Sequence, residues 1–205
     1  MLSEEISPFS TLKPYNLIAY PCYPRPPGNL SSWEIETLSF LEVVGAAAYF
    51  QITSGSKQRK KLDSLNRAGL IYKYQLKGER SINVSASRPY SDLKTLLKTL
   101  AFTQLVVKLK ELFPVQVFPG SNYIHAYIAF NNNTFPVIVI RHGDNISMLP
   151  FLTHSLDRLI IVSETLEPEF NKISIPARIV LDADLMNSSL IFYLPDGRID
   201  NIKAC

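Results

Sequence analysis

Between Ser56 and Ser87 the chain changes its period once, and that change narrows the folds open to it. Leu62, Leu65 and Ala68 recur at helical spacing, and Gly69 follows them. Two crudely alternating runs come next, LIYKYQL (70–76) and SINVSAS (81–87), joined by Lys77-Gly78-Glu79-Arg80. A glycine suits the position just past a helix, where the backbone turns left-handed, and alternation around a glycine-containing linker reads as a hairpin. Upstream, Ser31 or Ser32 can cap a helix whose first turn holds Trp33 and Glu34. Trp33, Leu38, Leu41 and Val44 share one face of it, and Gly45 breaks it. AAAYFQI (46–52) reads as a second, shorter helix, and Thr53-Ser54-Gly55-Ser56 as a turn in which Ser56 caps a third.

Helix, short helix, turn, helix, hairpin is the order of a winged helix-turn-helix, expected over 31–90. In that motif the third helix enters the major groove of duplex DNA and the hairpin touches the backbone or minor groove. Four of the five residues from Lys57 to Lys61 are basic, and 54–80 holds eight Lys and Arg against Asp63 and Glu79. The expected DNA-contacting residues are Ser54, Ser56, Lys57, Gln58, Arg59, Lys60 and Lys61 on the helix, with Lys73, Lys77 and Arg80 on the wing. Gln58 has the chemistry to pair with adenine and Arg59 with guanine, while lysines neutralise phosphates. The competing reading is a solvated basic helix on a domain that binds protein.

The charge balance agrees with a polyanionic partner. Residues 1–110 carry 15 Lys and Arg against 8 Asp and Glu, whereas 111–205 carry 6 against 10. Residues 1–30 hold six prolines, which exclude a long helix and predict an extended arm whose middle, YNLIAYPCY (15–23), is apolar enough to dock on a domain surface. The opening MLSEEISPFS is acidic and lacks the apolar segment of a leader, and no run nears the ~20 apolar residues of a membrane helix. Two cysteines, Cys22 and Cys205, cannot make a disulfide framework, so a reducing cytoplasm is the expected home. Three scattered histidines encode no zinc spacing, no glycine-rich phosphate loop is present, and no metal or cofactor is expected.

Residues 91–205 read as a mixed α/β domain. A long amphipathic helix follows Ser91, with Leu93, Leu96, Leu97, Leu100, Leu109 and Leu112 as its stripe, and Pro114 stops it. Three strands are expected about 115–143, a helix over 145–156, strands at 158–164 and 177–182 around a short helix near 166–172, and a last strand at 189–195. This is the layout of a restriction-endonuclease-like core. Active members hold a divalent metal on carboxylates from two adjacent strands, with a lysine nearby. Here His125, Val139 and Arg141 occupy those places, so the domain reads as inactive and the protein as no enzyme.

With LDSLNRAGLI (62–71), YIHAYIAF (123–130) and VIVIRHGD (137–144), the chain resembles the replication-relaxation family of plasmids and integrative elements over 31–165. It departs from that family at Val139 and Arg141, where acids are usual, and keeps Gly143. The resemblance implies a non-catalytic DNA-binding accessory protein acting at an origin of transfer or replication, or at a promoter. It also implies a relaxase or replication initiator as partner. A homodimer would match paired half-sites. Two alternatives stand beside this: a divergent metal-dependent nuclease using Asp182, Asp184 or Glu164, and a protein-binding adaptor. Asp182 and Asp184 otherwise mark a strand end entering a turn, Arg141-His142 a strand terminus, and Pro195-Asp196-Gly197 a β-turn.

Overall fold

A computed structural model describes residues 6–22 and 28–200. The terminal thiol Cys205 and the Tyr23–Pro27 part of the arm lie outside the described residues. The protein is mixed α+β, with six α-helices and two sheets among the described residues. The chain divides into two compact units, 13–103 and 1–12 with 104–205. The first 30 residues, expected from sequence to form one arm, are thus shared between the two units.

In unit 13–103, β1 (Asn16–Tyr20) precedes α1 (Ser32–Val44), β2 (Ala46–Ala48), α2 (Tyr49–Ile52), α3 (Ser56–Arg67), β3 (Tyr72–Lys77) and β4 (Ile82–Ala86). The sheet runs β1-β3-β4-β2 and every pairing is antiparallel. The arm therefore docks as the outer strand of the hairpin, with Leu17 opposite Leu76 and Tyr20 opposite Lys73.

Gly45 ends α1 with φ +90° and sends its N–H to the Leu41 carbonyl at 2.8 Å. Beyond it the chain departs from the helix expected over 46–52. Ala46–Ala48 form a fully buried strand opposite Val84–Ala86, and only Tyr49–Ile52 is helical. Alanine has the highest helix propensity, but the left-handed turn at Gly45 lays these residues along β4, and their small side chains fit there. Thr103 Oγ1 donates to the Ala46 carbonyl at 2.6 Å from α4 (Leu93–Lys110), a helix whose first eleven residues belong to this unit.

Ser56 is the first helical residue of α3 rather than its cap, and Gly55 occupies the cap position. The helix ends as expected. Gly69 adopts φ +75°, its N–H meets the Asn66 carbonyl at 2.9 Å, and the Leu70 N–H meets that of Leu65 at 3.0 Å. Leu41, Ala47, Tyr49, Leu62, Leu65 and Ile71 make the core of this unit, with Trp33 and Leu38 packed against it.

In the other unit, β5 (Gln116–Pro119), β6 (Ala126–Phe130) and β7 (Asn133–Val139) form an antiparallel meander. Asn131 and Asn132, both at positive φ, make the two-residue turn between β6 and β7. After α5 (Leu149–Thr153), β8 (Leu159–Ser163) pairs parallel with β7. A 3-10 turn at Pro168–Lys172 leads to β9 (Ala177–Leu181), parallel with β8, and then to α6 (Asp182–Leu185). β10 (Phe192–Tyr193) and β11 (Ile199–Asp200), the latter not expected from sequence, close the far edge around a turn at Asp196-Gly197, with Gly197 at φ +84°. The seven-stranded order is β11-β10-β9-β8-β7-β6-β5. β8 is buried throughout and both its neighbours are parallel to it, so its side chains lack an alternating polar face. Leu112, expected in the stripe of α4, lies beyond the helix end and is exposed.

Candidate nucleic-acid interface

Leu62 and Leu65 pin one face of α3 into the core and leave the other outside. Lys57, Lys60, Ser64 and Arg67 are all exposed at spacings of three and four residues, so they form one stripe. Ser56 and Arg59 are exposed beside it. Ser64 and Arg67 were not among the expected contacts, although their spacing from Lys60 was the available signal. Arg67 spends one N–H on the Asp63 carbonyl at 3.3 Å and stays exposed.

Three of the ten expected residues are engaged by neighbouring groups of the same unit instead. Gln58 Oε1 accepts from the Ser54 N–H at 2.7 Å and the Ser54 hydroxyl at 3.1 Å, so the side chain caps its own helix. Lys61 Nζ donates to Ser31 Oγ at 2.6 Å, lies 3.9 Å from Glu34 Oε2 and sits 6.0 Å from the centre of the Trp33 ring. Glu34 is held below the usual carboxylate range, chiefly by hydrogen bonds from the Ser31 side chain and backbone. Lys73 Nζ donates to Asp63 Oδ1 at 2.6 Å, between the rings of Tyr20 and Tyr49. The Tyr49 hydroxyl shares that carboxylate at 3.0 Å; burial, then the Asp63 charge, pushes its pKa well up. A lysine with three such neighbours belongs to the domain's own structure.

The hairpin end carries Lys77 and Arg80, both exposed, with exposed Glu79 between them. Gly78 packs so closely on the arm that a Cβ there would lie 2.8 Å from Tyr15 Cδ1. Five expected cations thus stand outward: Lys57, Arg59 and Lys60 on α3, Lys77 and Arg80 at the hairpin. Ser54 is exposed at the turn before α3.

The other unit concentrates its charge in the opposite way. Arg141, Glu164 and Asp182 follow the carboxyl ends of three adjacent parallel strands, β7, β8 and β9. Arg141, expected to mark an ordinary strand terminus, is among the most buried side chains of the protein. Its Nη1 lies 3.3 Å from Asp182 Oδ1 and donates to the Ile140 carbonyl at 2.7 Å, while its Nε lies 3.9 Å from Glu164 Oε1. Asp182 has its pKa pushed up to about 6 by burial; Arg141 opposes that shift and the Glu164 charge adds to it. His142 is exposed. Asp184 accepts from the Tyr193 hydroxyl at 2.9 Å and from Asn187, whereas Asp182 pairs with Arg141. Among the described residues no group of three or more His, Cys, Asp or Glu could hold a metal, and no helix is long and apolar enough to cross a membrane.

Comparison with protein-family models, curated proteins and solved structures finds no match to this chain.

Proposed function

We propose that the protein binds duplex DNA without catalysis, with α3 as the recognition helix and the β3–β4 hairpin as the wing of a winged helix-turn-helix. The observation that carries this reading is the division of labour on α3. Lys61, Gln58 and neighbouring Lys73 serve the fold, while Lys57, Arg59, Lys60 and Arg67 stay exposed on a helix held in place by Leu62 and Leu65. Such cations meet phosphates, and Arg59 can present a fork to guanine. Adenine reading by Gln58 would require it to leave Ser54, so base readout falls on Arg59, Ser56 and Ser64. The second unit, under the resemblance to the replication-relaxation family, is a degenerate nuclease-like domain. In that reading it contacts a relaxase, a replication initiator or a second copy at an origin or promoter of a mobile element.

Fluorescence anisotropy with a labelled duplex, read across a salt series, tests the proposal. Binding should weaken as salt rises, and Lys57→Ala/Arg59→Ala/Lys60→Ala should reduce the slope of log K against log salt by about 3. Affinity that is salt-independent, or unchanged in the triple variant, sinks this face as the contact surface. Retention on heparin without duplex binding would favour the adaptor reading, and magnesium-dependent plasmid cleavage lost in Asp184→Ala the nuclease reading.

A further inference from the structure

The carboxyl ends of β7, β8 and β9 are covered by residues 7–11. Glu164 Oε1 accepts from the Thr11 N–H at 2.8 Å and from the Thr11 hydroxyl at 3.0 Å. Its Oε2 takes the Ser10 hydroxyl at 3.3 Å. Phe9 is fully buried, and Ser7 and Ser10 are nearly so. The segment is pre-shaped by its own contacts: Ser7 Oγ accepts from the Phe9 N–H, Ser10 Oγ from the Leu12 N–H, and the Ser7 carbonyl from the Ser10 N–H, each at 3.1 Å. Three donors converging on one carboxylate, plus one buried aromatic anchor, is how a protein holds a short peptide. Here the peptide is residues 7–11, some 150 positions away in sequence from its seat.

What lies under the segment distinguishes it from an ordinary core strand. It closes over three charged side chains, Arg141, Glu164 and Asp182. Arg141 Nε and Nη2 are buried without a hydrogen-bond partner among the described residues, and Asp182, whose charged form Arg141 and the Ser7 hydroxyl favour, is buried beside them. Desolvating charge costs free energy that good hydrogen bonds must repay, and here part of it is not repaid. Lifting the segment would return water to all three groups. The seat therefore holds its occupant less firmly than its hydrogen bonds alone suggest. The chain also passes out of this unit after Leu12, so the segment can leave without unwinding any strand beneath it. An element so placed, with its partner far away in sequence, can be exchanged between identical copies.

We propose that the strand-end seat around Glu164 is a peptide-binding site, filled here by residues 6–12, and that a second copy can supply the same segment in trans. The seat and its occupant are independent of the role given to α3.

Native-state hydrogen exchange on the unmodified chain gives the first test. The Thr11 amide should exchange at least 100-fold faster than the Ile161 amide at the centre of β8; equal protection would make the segment integral to the core and overturn the proposal. The second test mixes two full-length variants, one with a disabled segment (Phe9→Ala/Thr11→Val) and one with a disabled seat (Glu164→Ala). Light scattering after size-exclusion chromatography should find each variant monomeric alone and a heterodimer in the mixture, because one chain keeps a seat and the other a segment. No assembly between folded variants overturns the exchange. Loss of folded structure by circular dichroism in the disabled-segment variant overturns it equally.

Discussion

The basic face of α3 and the cluster around Arg141 are both built from charge, yet they do opposite things. On α3, Lys57, Arg59 and Lys60 stand in water, where they cost the fold little and remain available to a partner. Under residues 7–11, Arg141, Glu164 and Asp182 are withdrawn from water, and the fold carries their desolvation. Charge in the first region stays exposed and is nearly neutral for stability. Charge in the second makes one part of the fold depend on another. Sign and residue type do not separate the two cases; burial does.

Substitution of Arg141 should break the comparison most visibly. Arg141→Met leaves two buried carboxylates without a cation, and urea unfolding should register a loss of about 3–5 kcal/mol. Adding Glu164→Gln and Asp182→Asn should restore much of it, since removing a whole buried charge set is far milder than removing one member. Should the single substitution cost no more than Lys60→Ala, the cluster is not a coupled unit.

Next in size is a pH effect. The folded pKa of Asp182 lies above the ordinary aspartate value, at about 6. Between roughly pH 4 and pH 6 the folded state therefore binds the proton that the unfolded state has lost, and this group's contribution to stability declines as pH rises through that window. The full excursion is about 3 kcal/mol. Subtracting the stability–pH curve of Asp182→Asn from that of the native chain should isolate this slope; parallel curves would mean the carboxyl is hydrated.

Gly45→Ala should cost about 2 kcal/mol, because it forces a side chain into a left-handed turn and brings a Cβ within 2.7 Å of the Tyr90 hydroxyl. Thermal melting read at Trp33 would report it, and an unchanged Tm would show the turn to be adaptable. Smallest is the contrast on α3 itself. Lys61→Ala loses the Ser31 hydrogen bond and should cost about 1 kcal/mol, whereas Lys60→Ala should stay within about 0.5 kcal/mol in the same unfolding experiment. Equal costs would erase the division between structural and free lysines.

Much of the architecture was legible because it depends on local rules. The stop at Gly69, the hairpin beyond it and the order of strands from β5 to β9 follow from glycine geometry and apolar period. AAA (46–48) defeated the same rules: propensity favours helix, but pairing with β4 wins through contacts to residues nearly forty positions away. The candidate interface was read in part. The basic run pointed to α3, but nothing in KQRKK says that Lys61 reaches Ser31 or that Gln58 turns back on Ser54, since both depend on where the helix is placed.

Sequence alone determined that α1 stops at Gly45 and α3 before Gly69, which of their faces are apolar and that the front of the chain is basic, because those properties belong to a residue and its near neighbours. Only the tertiary structure decided which charges are free and which are confined. Arg141 reads in sequence as a strand-end arginine like any other. It becomes a buried group because three parallel strands end together and residues 7–11 close over them.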